Sequence, residues 1–296
     1  MGEGLIVRRG GSGKAEGKYV WKKYDSEGGN FIDYVTADDE SSYPNGGTKS
    51  GYWYDLYGVP VKTVSWATGT DAEIVAMIEA ADKGAISLAD YWAVGDERKV
   101  KLSAMSATGV AESHAAQEVT LVLMNLGGKT LANGKECNFI VGQKHSLATA
   151  GYVNSTAVNT GGWASMARRT WCNNVYYNAI PATLRPIFKQ HLNVTFDASS
   201  KAVTTTDYFA LPAEMEVFGA TVGAHPSFEG NLTPFAYYAT ASHRVKKQGE
   251  GGAAATWWGR SPYQSGTSRG CYTNPDGTAS SGYVNSALGI APFGCI

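Results

Sequence analysis

Charged residues are scarce in this sequence. Asp, Glu, Lys and Arg make up 17% of its 296 residues, and 25 basic side chains are opposed by 26 acidic ones, which leaves a formal net charge of −1. Proteins that bind nucleic acids or anionic membranes without specificity need a positive electrostatic field. Apolar runs such as residues 119–124 are also far too short to span a bilayer. We therefore expect neither a nucleic-acid partner nor insertion into a membrane.

Motifs for metal, cofactor or disulfide chemistry are missing too. The four cysteines are widely spaced without a C-x-x-C motif, and the five histidines include neither H-E-x-x-H nor a pair four residues apart. Such motifs are the usual signatures of zinc sites and of thioredoxin-like redox sites. The N-terminal residues also lack the apolar segment of a secretory signal. The sequence thus predicts cytoplasmic synthesis, buried free thiols, no metal site and no cofactor.

The order of the segments predicts an α+β protein in three parts. Residues 1–17 are rich in Gly and are interpreted as a flexible arm. Residues 18–59 contain three aromatic-rich segments bounded by Gly, Asn, Asp or Pro, which is typical of the short strands of a small β module. Residues 60–296 mix helical and strand patterns without a regular βαβ alternation. We expect them to form one α+β domain.

Individual elements can be placed within this domain. Thr70 and Glu73 have the spacing of a capping box, and they begin a predicted helix over residues 71–82 that packs against the sheet. A second helix is predicted near residues 164–177. The apolar stripe of the first helix consists of Ile74, Met77, Ile78 and Ala81.

Further patterns complete the domain. Buried strands are predicted within residues 117–125 and 137–143. Short helices are predicted within LPAEMEVFG and PFAYYATASHRV. After residue 254, helix formers vanish and Gly, Ser, Thr, Asn and Tyr dominate, which indicates irregular strands and loops.

Residues 266–270, GTSRG, match the G-x-S-x-G motif that carries the nucleophile of α/β hydrolases. In those enzymes the acid and the histidine of the triad follow the serine along the chain, and a helix follows the motif. Here the last histidine is His243, and the residues after Ser268 have turn and strand character. We therefore do not interpret Ser268 as a nucleophile, and we expect no catalytic residues.

The dipeptide Asp276-Gly277 predicts a hairpin with a two-residue turn. Its strands are expected near residues 270–275 and 278–284. Because side chains alternate between the two faces of a strand, Cys271 and Thr273 share one face. Both are small, and we expect that face to be buried.

Tyr272 and Asn274 share the opposite face and are expected to point away from the core. The residue types around them, Tyr, Ser, Gly, Asn and Arg, are those of antibody loops. Residues 265–296 also contain no Lys, Glu, Met, Gln or Trp. None of these five residue types can be encoded by an AAC codon whose adenines are randomised, so the pattern is the one that such randomisation would produce. The sequence predicts a ligand-binding surface at which replacing Tyr272 and Asn274 together abolishes attachment and barely changes the melting temperature.

Two C-terminal motifs are distinctive, WWGRSP (257–262) and GIAPFGCI (289–296). With LPAEMEVFG, RRTWCNNVYYNAIP and SWATGTDAEIVAMIEAADKG upstream, they resemble a family of domains of unknown function found in tail proteins of bacterial viruses. The N-terminal segments resemble short β modules that precede such domains in tail fibres. The C-terminal part is similar to the C-type-lectin-like fold of variable proteins diversified by retroelements.

The resemblance implies a C-type-lectin-like ligand-display domain over residues 60–296, preceded by the small β-rich module. It implies a non-catalytic receptor-binding protein of a bacteriophage or prophage tail, located in the virion. The partners implied are a bacterial cell-surface receptor (protein or glycan), other tail proteins, and further copies of the chain in a homotrimer. The alternative is a structural tail or baseplate component whose C-terminal loops contact other virion proteins.

In the variable proteins, the ligand surface lies near the C-terminus and is held by a Trp-Trp strand and a closing tail. Carried over to this chain, the resemblance implies that Trp257, Trp258 and Phe293 are buried scaffold. The ligand-binding positions are expected to be exposed and close together. They are Tyr263, Thr267, Ser268, Arg269, Tyr272, Asn274, Ser280, Ser281, Tyr283, Asn285, Ala287 and Leu288.

The same fold also hosts formylglycine-generating oxidases, which need a reactive cysteine pair in the C-terminal region. Only Cys271 and Cys295 lie there, and Cys295 falls in the closing tail. The oxidase, like the serine hydrolase, is therefore a distant alternative. We expect no enzyme activity.

Overall fold

The chain is described by a computed structural model over residues 19–37, 40–58, 63–197 and 201–296. The expected arm at residues 1–17 lies outside this part. Contacts between Cα atoms divide the chain into two units. The first contains the described residues up to Ser65 together with Gly69–Tyr91, and the second contains Trp66–Thr68 together with Trp92–Ile296.

The first unit contains four antiparallel strands, β1 (Tyr19–Tyr24), β2 (Phe31–Ala37), β3 (Gly47–Lys49) and β4 (Tyr52–Gly58). They form one sheet in the order β2-β1-β4-β3, and a 3-10 turn covers Glu40–Ser42. The sequence predicts three of these strands, and misses β3 because its residues GTK show no apolar alternation. Trp21 and Tyr54 are buried, and the Tyr43 ring lies 5.3 and 4.8 Å from their rings.

The predicted helix is present as α1 (Asp71–Asp82). Its capping box is confirmed, since the Glu73 N–H donates to Thr70 Oγ1 at 3.3 Å and the Thr70 N–H donates to Glu73 Oε2 at 2.9 Å. Ala80, rather than the expected Ala81, completes the buried stripe. A 3-10 turn at Leu88–Asp90 follows. The contacts group α1 with the N-terminal residues, unlike the domain limits expected from the sequence.

The second unit contains twelve described strands. They are β5 (Glu97–Leu102), β6 (Gln117–Leu126), β7 (Phe139–Gln143), β8 (His191–Phe196), β9 (Ala202–Asp207), β10 (Phe209–Ala210), β11 (Lys246–Lys247), β12 (Ala254–Ala255), β13 (Trp257–Pro262), β14 (Arg269–Thr273), β15 (Ala279–Tyr283) and β16 (Phe293–Cys295). The main sheet is antiparallel in the order β10-β16-β7-β6-β5. The C-terminal strand thus lies inside this sheet, between β10 and β7. There are three separate small sheets. Two of them pair β8 with β9 and β11 with β12, and the third has three strands in the order β13-β14-β15.

Short helices complete the second unit. A continuous helical run consists of α2 (Ala167–Trp171), a π-helical turn (Cys172–Tyr176) and α3 (Tyr177–Ala179), close to the predicted helix. The other helices are α4 (Glu214–Phe218) and α5 (Pro226–Glu229), with 3-10 turns at Gly162–Ser165, Arg185–Ile187, Ala236–Ala239 and Ala241–Arg244. The architecture is mixed α and β, compatible with the predicted α+β class. Among the described residues, no helix is both long enough and apolar enough to cross a membrane.

A cluster of buried charges fixes β13 to α4. The Arg260 guanidinium donates to both carboxylate oxygens of Glu216, at 2.5 and 2.9 Å. The Lys129 ammonium donates to the same carboxylate, and at 3.1 Å to Asn193 Oδ1. Although burial acts to raise it, the Arg260 and Lys129 cations hold the pKa of Glu216 at about 2. Glu216 is therefore ionised in the core and binds two cations from distant segments.

Glu229 lies beside this cluster, and the cost of burying its charge is less well compensated than that of Glu216. Ser261 donates its hydroxyl to Glu229 Oε2 and accepts the backbone N–H of Glu214 at 2.8 Å. Glu214 itself accepts the three backbone N–H groups of residues 222–224, at 2.7–2.8 Å. Burial, reinforced by the nearby Glu216 and Glu214 carboxylates, raises the pKa of Glu229 to about 7. Glu229 therefore holds a proton more tightly in the folded protein than in the unfolded chain.

This raised pKa predicts a specific dependence of stability on pH. Stability due to Glu229 is complete below the ordinary pKa of 4.5 and is lost as pH rises through about 7. Glu229→Gln removes this titration and leaves the other groups in place. We expect the unfolding free energy of the wild type, minus that of Glu229→Gln, to fall between pH 5 and 7 by at most about 1.4 kcal/mol per pH unit. Urea denaturation of both proteins across this range measures it, and a constant or rising difference would contradict it.

Candidate ligand-binding surface

The predicted hairpin is present in the small sheet β13-β14-β15. Its turn has three residues, Pro275, Asp276 and Gly277, rather than the predicted two. The Gly277 N–H donates to Asn274 O at 2.9 Å, and the Asn274 N–H donates to Thr278 O at 2.8 Å. Gly277 has φ +83°, as expected for the left-handed residue that follows a type I turn in such loops. Pro favours this longer turn because its fixed φ suits the second turn position.

The strand register divides the candidate residues between the two faces of this sheet. Arg269 is paired with Tyr283, and Tyr272 is paired with Ser280. Paired residues share a face, and neighbours along a strand alternate. Arg269, Ser281 and Tyr283 therefore lie on one face, together with the buried Cys271 and Thr273, and Tyr272 and Ser280 lie on the other. The single surface expected from the sequence is split in two.

We name the first surface the arginine face; it consists of Tyr263, Arg269, Ser281 and Tyr283. The Arg269 guanidinium lies 5.1 Å from the centre of the Tyr263 ring, and its Nη2 donates to Ser281 O at 2.8 Å. Tyr283 is 59% exposed. Within the described part of the chain, the Arg269 side chain forms no other hydrogen bond. Its remaining N–H groups are therefore available to a ligand.

Two exposed apolar residues that the sequence did not indicate lie in segments that are hydrogen-bonded to the loop of residues 264–267. Val158 is 45% exposed, and the residue after it donates its backbone N–H to Thr267 O at 2.7 Å. Val222 is 63% exposed, and the C=O of the residue after it accepts the Gln264 N–H at 2.9 Å. Both come from segments far upstream, so no local pattern could have placed them here. They add exposed apolar area to the segments beside this loop.

The opposite surface, named the tyrosine face, consists of Tyr272 and Ser280 beside the buried Trp258. The Tyr272 ring meets the Trp258 ring edge-on, with centroids 5.6 Å apart. It also lies over Gly282, where a Cβ atom would be only 2.8 Å from Tyr272 Cε1. Tyr272 thus takes part in packing and does not project freely from the core. The expectation that its replacement leaves stability unchanged is accordingly revised.

Exposure differs among the twelve candidate residues, but none of them is buried. Four are exposed: Thr267, Tyr283, Asn285 and Ala287. Eight are half-buried: Tyr263, Ser268, Arg269, Tyr272, Asn274, Ser280, Ser281 and Leu288. The hairpin therefore carries a set of accessible side chains, fewer of them fully exposed than expected.

The predicted scaffold is confirmed as buried. Trp257, Trp258 and Phe293 each have 0% exposure. Both indole N–H groups are satisfied, since Trp257 Nε1 donates to Arg244 O at 2.8 Å and Trp258 Nε1 donates to Ser286 O at 3.1 Å. Buried indoles that bind backbone carbonyls in this way fix the loops that follow and precede them. The accessible side chains are thus mounted on a rigid base.

The residues considered for catalysis have no catalytic arrangement. The four cysteines are buried and free, as predicted, and burial raises the pKa of both Cys271 and Cys295 well above its usual value. Such thiols are protonated and unreactive at neutral pH. Among the described residues, the Ser268 side chain has no hydrogen bond to a histidine, and no group of three or more His, Cys, Asp or Glu side chains could hold a metal ion.

Comparison with known proteins gives one match. A family model described as "Domain of unknown function (DUF6273)" matches residues 138–296, which is more than half of the chain. No curated protein and no solved structure matches. The matched region begins just before β7 and includes both faces of the hairpin sheet.

Three alanine substitutions separate the scaffold from the two faces. Trp258→Ala should destabilise the protein by about 3–5 kcal/mol, because it opens a cavity in the core. Tyr272→Ala should cost about 1–2 kcal/mol, because one aromatic contact and part of a buried ring are lost. Tyr283→Ala should change stability by no more than about 0.5 kcal/mol. Urea denaturation measures all three, and a loss for Tyr283→Ala that equals the loss for Trp258→Ala would contradict the assignment.

Proposed function

The chain belongs to the family described as a domain of unknown function, DUF6273, and because this description assigns no activity, we propose from the geometry that the protein is a non-catalytic ligand-binding protein. Its ligand contacts lie on the arginine face and on adjoining loops of the hairpin sheet. The observation that carries this proposal is the contrast in burial within one short segment. Trp257 and Trp258 are fully buried, whereas none of the twelve candidate residues is.

The arginine face has the residue types that dominate binding energy at protein surfaces. Tyr and Arg are enriched among such energetic hot spots, and here Arg269 stacks on Tyr263 with Tyr283 opposite it. The stacking reduces the freedom that Arg269 would lose on binding. Its free N–H groups suit a carboxylate, a phosphate or sugar hydroxyls, and Val158 and Val222 add apolar contact area.

We further propose that the second unit, which contains Trp66–Thr68 and Trp92–Ile296, adopts a C-type-lectin-like fold. The terminal strand β16 inside the main sheet and the separate sheet that carries the hairpin support this assignment. The setting proposed is a bacteriophage or prophage tail, with variation introduced by a retroelement, and the resemblance of the motifs WWGRSP and GIAPFGCI supports it. The proposed partners are a bacterial cell-surface receptor (protein or glycan), other tail proteins, and further copies of the chain in a homotrimer.

Binding to intact bacteria tests this function. Fluorescently labelled full-length protein is titrated onto cells of a panel of strains, and the bound fraction is measured by flow cytometry. Saturable binding to some strains is expected, and Tyr283→Ala should weaken it by at least about tenfold, as loss of a central aromatic contact does. Tyr91→Ala is the matched control, because Tyr91 is also exposed, at 41%, but lies in the other unit.

Two outcomes would contradict the proposal. In the first, the protein binds no strain saturably and binds other virion proteins instead. This result would favour the structural tail component. The other is equal binding by wild type and Tyr283→Ala, which would move the contact surface away from the arginine face. Thermal melting of each variant confirms that it is folded.

A further inference from the structure

Among the described residues of the four-stranded sheet in the first unit, buried side chains lie on one face, and the other face carries none. Trp21 and Tyr54 point to the packed face, where both are buried beneath Tyr43. Side chains at neighbouring positions along a strand point to opposite faces of the sheet. The second face therefore carries the residues that alternate with Trp21 and Tyr54.

The strand register arranges the second face in two rows. Tyr24 is paired with Phe31 on one side and with Trp53 on the other, and Trp53 is paired in turn with Thr48. This first row places three aromatic residues side by side on neighbouring strands. The second row, in the same strand order, consists of Tyr34, Lys22 and Asp55.

Three of these rings are in contact, and Trp53 lies beside them through its strand pairing with Tyr24. The Phe31 ring lies 6.1 Å from the Tyr24 ring and 4.9 Å from the Tyr34 ring. The Trp53 indole is oriented by a hydrogen bond from its Nε1 to Asp55 Oδ1, at 3.0 Å. We name this surface of Tyr24, Phe31, Tyr34 and Trp53 the aromatic face.

The aromatic face is accessible. Phe31 is 43% exposed, and the other three residues are half-buried. Single exposed apolar residues are common on proteins, but a contiguous group of aromatic side chains is a feature of binding sites. The row also spans two inter-strand spacings, about 10 Å in all, which is longer than one sugar ring.

We propose that the aromatic face binds an uncharged saccharide chain. The C–H groups on one side of a sugar ring are apolar and slightly positive, and they stack on the negative face of an aromatic ring. The hydroxyl groups at the rim of the sugar need hydrogen-bond donors and acceptors. Asp55 and Thr48 supply these in the same two rows. The site lies in the first unit and does not depend on the function proposed for the hairpin sheet.

The charges of the face favour this occupant over a nucleic acid. Single-stranded nucleic acids also stack on aromatic side chains, but their binding surfaces are positively charged to track the phosphates. Here Lys22 is paired with Asp55 in the register, so the rows carry one positive and one negative charge. This balance suits a neutral ligand and gives no attraction to a polyanion.

Affinity electrophoresis tests the proposal on the full chain. The protein is run in native gels that contain dextran, laminarin, hydroxyethylcellulose or galactomannan at increasing concentration. At least one of these neutral polysaccharides should retard the wild type. Phe31→Ala and Trp53→Ala should each raise the apparent dissociation constant at least about tenfold. Tyr52→Ala is the matched control, since Tyr52 is 37% exposed on the opposite face, beneath Lys23.

Each outcome of this test decides the question. Retardation by none of the four polysaccharides overturns the proposal, as does retardation that Phe31→Ala leaves unchanged. The proposal is also overturned if no polysaccharide binds and the protein instead binds oligo(dT), or forms a dimer in sedimentation, in a way that Phe31→Ala abolishes. Phe31 is exposed, so this variant remains informative even if Trp53→Ala fails to fold. Tyr283→Ala should retain full retardation, which separates this site from the arginine face.

Discussion

The buried contact between Arg260 and Glu216 is the constraint on which the candidate surface depends. Both groups are fully buried, and the buried Lys129 ammonium contacts the same Glu216 carboxylate. Removal of such charges from water costs several kcal/mol for each ion, and only well-formed partners compensate for it. The contact joins β13 to α4 and to the segment after β6, so it permits one position of β13. The hairpin sheet is held in place through β13.

This arrangement separates the residues that specify the fold from those that are free to bind. The charged cluster and the two indoles lie inside the protein, whereas Tyr263 and Arg269 are half-buried and Tyr283 is exposed. The aromatic face of the first unit is built on the same principle, with Trp21 buried on one side of a sheet and accessible rings on the other. In both places a low net charge leaves recognition to stacking and hydrogen bonds rather than to long-range electrostatics.

Local patterns in the sequence predicted what depends on neighbouring residues. The capping box at Thr70 and the hairpin at Gly277 were recognisable in this way, whereas the burial of Trp257 and Trp258 was implied by the family resemblance. The pairing of Arg260 with Glu216, 44 residues away, was not, because tertiary structure alone brings them together. The split between the two faces follows from alternation along β14, because Arg269 and Tyr272 are three residues apart. It was missed because the twelve positions came from the family resemblance, which does not distinguish the faces. Val158 and Val222 were missed because they reach the surface from distant segments.

The most direct test of this account is the tolerance of two combinatorial libraries to substitution. One library randomises Tyr263, Thr267, Arg269, Ser281 and Tyr283 together, and the other randomises Glu216, Trp257, Trp258, Arg260 and Phe293. Each is displayed on yeast and digested with protease, and sequencing gives the fraction of members that resist cleavage. The account predicts that most members of the first library and very few members of the second remain resistant. Equal loss of resistance in both would show that the arginine face is part of the core and contradict the central claim.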